Sequence, residues 1–171
     1  MSIHSRRTVV QGLISVACLT FAGFARAQVP PEQAPILTIS GKVIASDAEA
    51  GLTFGRSDLE AMGTVSFETN TPWYKQSVKF EGVRLDKLMQ KVGASGQRVV
   101  ALALNDYSTE IPIEDFAKYH PILAFKRDGE YMPVRDKGPL FIVYPYDSDP
   151  ELKSQKFYSR SAWQVNRLIV K

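Results

Sequence analysis

The sequence predicts a single α+β domain with a mixed sheet and short helices. Three observations carry that prediction: short apolar-alternating strands, short helices placed without regular βα alternation, and a length that suits one core once a leader is removed. Ile36 to Val43 alternates with period two and is read as a strand. Leu52-Thr53-Phe54 is a short strand, and Ser57 or Asp58 caps a short helix through Met62 that Gly63 stops. Thr64 to Glu68 returns to strand, and the polar and aromatic run Thr69 to Gln76 is a loop. Leu85, Leu88, Met89 and Val92 recur at helical spacing, ended by Gly93. Arg98 to Leu104 and Ser108 to Pro112 are strands, and Ile113 to Tyr119 is a short helix with acids in its first turn. Ile122 to Phe125 is a strand, Asp128-Gly129 a turn, and Leu140 to Tyr144 a buried strand. Asp147 to Lys156 is a polar excursion, and Ala162 to Val170 closes the domain with an alternating strand.

The N-terminus has the three parts of a secretory signal: Arg6-Arg7, an apolar run from Thr8 to Phe24, and the small-x-small site Ala25-Arg26-Ala27. Residues 1–27 are therefore expected to be a signal peptide cut before Gln28, residues 28–35 a proline-rich lead-in, and residues 36–171 the working domain. A retained membrane anchor is the alternative, set against an apolar run short of the roughly 20 residues a bilayer core needs. Val9 sits where a twin-arginine signal prefers Phe or Leu, and Ser15 where a lipoprotein signal before Cys18 prefers Leu. Export places the protein in an extracytoplasmic compartment, the periplasm.

The chain has 21 basic and 18 acidic residues. Arg6, Arg7 and Arg26 precede Gln28 and no acid does, so the remaining 144 residues carry 18 of each sign. A net charge of zero gives no argument for nucleic acid. Cys18, the one cysteine, leaves with the leader, as does His4, so the exported part has His120 and no thiol. That composition speaks against a transition-metal site and a disulfide. A Ser-His-Asp triad would have to use His120, which directly precedes Pro121 and is better read as a turn residue. There is no glycine-rich phosphate loop, readable carboxylate pair or calcium loop.

One ordered set of motifs adds to this reading. Phe80-Glu81-Gly82-Val83-x-Leu85-x-x-Leu88 is followed by Gly93, then Ala103-Leu104-Asn105-Asp106-Tyr107-Ser108, Ile111-Pro112, Ile122-Leu123-Ala124, Asp128-Gly129 and Lys137-Gly138-Pro139-Leu140. Tyr144-Pro145 and Trp163-Gln164-Val165 complete it. In order and spacing, from about Ile36 to Val170, the chain resembles the sulfite-oxidase-type molybdopterin-binding domain family, which implies that fold. Enzymes of the family hold molybdenum through a cysteine thiolate in a loop after a strand like Thr64 to Glu68. Here that loop reads Glu68-Thr69-Asn70-Thr71-Pro72-Trp73, so Thr69 or a neighbour replaces the thiolate. A hydroxyl that stays protonated near neutrality does not substitute for a soft thiolate, which speaks against molybdenum catalysis in its usual form. The resemblance extends to cysteine-free exported members that bind a pterin without metal and act on a membrane-bound enzyme of cyclic di-GMP turnover. It implies that role, with a small-molecule pterin and the periplasmic domain of a membrane signalling protein as partners. A molybdopterin oxidoreductase with an atypical ligand and a ligand-free accessory domain are the alternatives.

A pterin needs an aromatic or guanidinium plane to stack on and polar groups to read its edge. Thr69, Asn70 and Trp73 offer these in the former ligand loop, Trp73 being either a stacking ring or a lid on the core. Asn105 and Tyr107 follow a buried strand, as cofactor contacts or as a plain turn. Arg135 and Arg160, with Lys137, are candidates for a pterin side group or phosphate, against surface ion pairs. Tyr144 and Tyr146 flank Pro145, one of them for the cleft. Trp163 alternates with Val165 and Arg167, which favours the core. The stacking ring is thus Trp73 or Trp163, with Tyr107 and Tyr146 behind them. The length of the Asp147 to Tyr158 region suggests a lid, a partner contact or a solvated excursion.

Overall fold

A computed structural model describes residues 34–44 and 50–171. The expected leader, with His4 and Cys18, and most of the proline-rich lead-in lie outside the described residues. In chain order the elements are β1 (Leu37–Gly41), β2 (Leu52–Phe54), α1 (Arg56–Glu60), β3 (Thr64–Thr69), β4 (Val78–Arg84), α2 (Leu85–Lys91), β5 (Arg98–Ala103) and β6 (Ser108–Pro112). Then follow α3 (Glu114–Tyr119), β7 (Ile122–Arg127), β8 (Glu130–Tyr131), β9 (Phe141–Val143), α4 (Gln155–Arg160) and β10 (Val165–Val170), with 3-10 turns at Val134–Asp136 and Pro150–Leu152.

The strands form two five-stranded sheets. One has the order β2-β1-β10-β5-β6 and is mixed, because β1 and β10 run parallel and its other pairs antiparallel. The other runs β3-β4-β7-β8 with β9 also on β7, and is antiparallel throughout. The architecture is the α+β class expected, with two sheets where the sequence pointed to one.

Alternation explains the first sheet. Leu37 and Ile39 of β1, Val99 and Ala101 of β5, and Leu168 and Val170 of β10 are buried, with polar or half-buried residues between them. Strands β7 and β9 are apolar without alternation, and Ile122 to Phe125 and Phe141 to Val143 are all buried, as strands covered on both faces are. Helix α2 buries Leu85, Leu88 and Met89 on one stripe. The two sheets are stitched together where the chain approaches β10. Ile142 N–H donates to the Ala162 carbonyl at 2.9 Å, Val165 N–H to the Leu140 carbonyl at 2.9 Å, and Gln164 N–H to the Lys137 carbonyl at 3.1 Å.

Two local expectations, the cap of α1 and the excursion after Asp147, need correction. Helix α1 is capped by Gly55, not Ser57 or Asp58; Asp58 is three residues inside and its carboxylate reaches back to accept the Gly55 N–H at 2.7 Å. The motif Phe80 to Val83 lies inside a seven-residue strand. The polar excursion after Asp147 contains α4, held down by Leu152 and Phe157, both fully buried. Two anchors five residues apart, each in a polar setting, give no periodic stripe to read. Among the described residues no helix is long and apolar enough to cross a membrane.

Gly82 shows how tightly the second sheet is built. The β4–β7 register shifts between Glu81 and Gly82, and a Cβ on Gly82 would overlap the Leu123 carbonyl oxygen and the Ala124 backbone. Replacing Gly82 with Ala is expected to destabilise the domain by about 1–3 kcal/mol. Equilibrium urea unfolding of the two proteins checks this, and equal midpoints would mean that the bulge relaxes freely.

Candidate functional site

The loop after β3, the turn after β5 and helix α4 converge with Trp163 on a cleft of about 320 Å³. It is lined by Pro72, Trp73, Asn105, Tyr107, Gln155, Tyr158, Ser159, Ser161 and Trp163. That volume lies at the low end of the range of about 300–1,000 Å³ for small-molecule sites. None of the lining side chains is charged.

The walls are aromatic. Trp73 makes edge-to-face contacts with Trp163 at 5.7 Å, Tyr158 at 6.0 Å, Tyr146 at 6.1 Å and Phe141 at 5.4 Å between ring centroids. It is half-buried and packs against the core, so it serves both as lid and as cleft wall. Trp163 is also half-buried, because its backbone bridges to Phe141 ahead of β10 and falls outside that strand's alternation. It packs against the core, as expected, and lines the cleft as well. Lys137 Nζ stands 5.1 Å over the Trp163 ring but is not part of the lining.

The turn after β5 supplies the polar edge. Asp106 adopts φ +63°, and Asn105 Oδ1 accepts the Tyr107 N–H at 3.2 Å, so one side of the Asn105 amide builds the turn while its residue lines the cleft. The Tyr107 hydroxyl donates to the Ser159 carbonyl at 2.8 Å, joining this turn to α4.

Five of the residues singled out in the sequence do other work. Thr69 is fully buried; its hydroxyl donates to Asp147 Oδ2 at 3.3 Å and accepts the Asp147 N–H at 3.1 Å. Asn70 gives both its backbone N–H (2.6 Å) and its side-chain amide (3.0 Å) to the same carboxylate oxygen. Tyr146 is fully buried, not cleft-facing, and its hydroxyl donates to Ser161 Oγ, which donates on to the Phe157 carbonyl at 2.9 Å. Burial pushes the Tyr146 phenol well above its ordinary value. Arg160 Nη1 donates to Asp115 Oδ2 at 2.6 Å, and that oxygen also accepts the Tyr144 hydroxyl at 2.9 Å. Burial first, then the Asp115 charge, raises the Tyr144 phenol far above the usual range. Arg160 is therefore a neutralised strut and offers no free charge to a phosphate. Arg135 is exposed in the 3-10 turn before Lys137 and does not line the cleft.

Thus Trp73, Asn105, Tyr107 and Trp163 are brought together, and Thr69, Asn70, Arg135, Tyr146 and Arg160 are not among the lining. Pro72, Gln155, Tyr158, Ser159 and Ser161 line it without having been singled out. Gln155, Tyr158 and Ser159 share one helix face at i, i+3 and i+4, a signal that only becomes readable once α4 is known to be a helix. A larger open depression of about 680 Å³ between β2, α1 and α2, lined by Phe54, Met62, Lys87 and Lys91 among others, contains none of the singled-out residues.

The family model for the oxidoreductase molybdopterin binding domain matches residues 53–147. The chain belongs to this family. No curated protein matches it. Within the oxidoreductase molybdopterin-binding family, a metal held in the usual way needs a thiolate at the loop after β3. The Thr69 hydroxyl there is buried and engaged with Asp147, and no cysteine occurs among the described residues, so the donor set does not fit a thiolate-bound molybdenum. Nor do the described residues contain a group of three or more His, Cys, Asp or Glu placed to hold a metal.

The Asp115 knot gives a stability prediction. Asp115 and Arg160 side chains are 6% and 18% exposed. Asp115→Ala would strand the guanidinium and the Tyr144 hydroxyl, at an expected cost of about 3–5 kcal/mol. Urea denaturation followed by circular dichroism checks it; a loss under about 1 kcal/mol would mean that water reaches Arg160 readily.

Proposed function

We propose that this protein is a metal-free pterin-binding protein of the periplasm that regulates a membrane-bound signalling partner of the cyclic di-GMP type. The observation that carries the reading is the uncharged, aromatic-walled cleft beside the former ligand loop. Trp73, Tyr158 and Trp163 give planes for a flat heteroaromatic ring, and Asn105, Gln155 and Ser159 give donors and acceptors for its edge. The leader supports export, and the family's membership supports the pterin as ligand class. With Arg160 bound to Asp115 and no cation in the lining, the cleft suits a pterin without a phosphate better than phosphorylated molybdopterin.

The deciding experiment titrates the purified mature protein with oxidised and reduced pterins by calorimetry, with metal analysis of the same sample. The expected outcome is saturable binding of an unphosphorylated pterin, no stoichiometric molybdenum, and weaker binding of a phosphorylated pterin. Bound molybdenum would overturn the reading, and the absence of any pterin binding would leave a domain that only contacts a partner. Trp73→Ala is expected to weaken pterin binding by about 1 kcal/mol or more. Unchanged affinity in a folded variant would remove Trp73 from the binding site.

A further inference from the structure

We propose that Asp147 is a positioning residue of the cleft, a charged latch that sets the spacing between its two walls. One wall is the loop after β3, carrying Pro72 and Trp73, and the other is α4 with Ser161, far later in the chain. Asp147 lies outside the lining yet is bonded toward both. Its Oδ2 takes the Asn70 N–H at 2.6 Å, the Asn70 amide at 3.0 Å and the Thr69 hydroxyl at 3.3 Å. Its Oδ1 meets Lys153 Nζ at 2.7 Å, two residues before α4 begins. Each carboxylate oxygen therefore serves one wall. The loop side is stiffened onward to the ring, since Thr71 Oγ1 accepts the Trp73 N–H at 3.3 Å. The other ties between α4 and a facing wall are made by residues of the lining themselves: the Trp73–Tyr158 ring contact at 6.0 Å and the hydrogen bond from Tyr107, which is 44% exposed, to Ser159.

The ion pair with Lys153, followed by the bonds from Asn70, holds the Asp147 carboxyl down at about 2, against an ordinary value of 3.8. Its contribution to stability is thus fully present above the ordinary value and is lost only as pH falls through about 2. At any physiological pH the latch is charged and closed, so it acts as a fixed spacer and not as a pH switch. The side chain is a third exposed and reaches the second sheet only at Thr69, the end of β3, so its removal should loosen the cleft while the fold stands.

The ligand arm of the test rests on the pterin reading; the arm without ligand does not. Both tryptophans of the chain line the cleft, so acrylamide quenching of tryptophan emission in the free protein reports the cleft walls directly. The variants are Asp147→Ala, Asp147→Asn (which keeps an acceptor toward Asn70 but loses the charge facing Lys153) and Lys153→Met. Asp147→Ala is expected to raise quenching, leave the far-ultraviolet circular dichroism unchanged, and weaken pterin binding roughly tenfold through faster release. Asp147→Asn and Lys153→Met should each give the same smaller change, and together no more than either alone. Unchanged quenching in folded Asp147→Ala overturns the proposal. Should that variant fail to fold, unchanged quenching in Lys153→Met overturns it equally. Raised quenching in a protein that binds no pterin sustains the positioning role and refutes the pterin reading alone.

Discussion

The seam between residues 137–142 and 162–165 is the constraint on which the rest depends. Three backbone hydrogen bonds there tie a strand of the antiparallel sheet to the segment entering the mixed one. Without that seam, Phe141 and Trp163 would belong to separate layers and Trp73 would have nothing to pack between. The seam also explains why a tryptophan next to an alternating strand is half-buried rather than fully buried. A backbone whose carbonyls and amides are spent on a neighbouring sheet cannot follow the pleat of its own.

Charge is arranged around the cleft so as to leave it neutral. Arg160 is bent back onto Asp115 in α3, and Asp147, whose carboxylate holds Asn70 in the loop after β3, is not part of the lining. A buried carboxylate with a guanidinium and a phenol on one oxygen contributes little net attraction but is costly to half-dismantle. Its evident effect is geometric: it fixes the C-terminal end of α4 relative to α3 and β9. The polar groups left facing the cleft are amides and hydroxyls, which exchange water for a heterocycle's edge at low desolvation cost.

Most of the fold was legible in the sequence because burial there is periodic. β1, β5, β10 and α2 each carry two or three apolar residues at the spacing of their element, and β7 and β9 carry unbroken apolar runs. Helix α4 was not legible, since its hold on the core is Phe157 and the preceding Leu152 rather than a stripe. Of the candidate site, the residues near a turn or loop of known motif position (Trp73, Asn105, Tyr107) could be named. The roles of Arg160 and Asn70 could not, because their partners Asp115 and Asp147 lie 45 and 77 residues away and nothing local marks them as pairs. Thr69 was noticed as one candidate for the position of the family's thiolate, and its hydroxyl is part of the scaffold, bonded to Asp147.

The position of β10 has a kinetic consequence. It is the last strand in chain order and the middle strand of its sheet, with β1 parallel on one side and β5 antiparallel on the other. Thr38 pairs with Arg167, so the pairing that completes this sheet spans almost the whole described chain. Closing so long a loop is slow, and no local contact can substitute for it. A partly synthesised chain that lacks Val165–Val170 has two half-sheets with bare inner edges and no way to join them. Until that strand arrives the chain stays open and in need of protection from edge-to-edge association. Its arrival commits both halves at once.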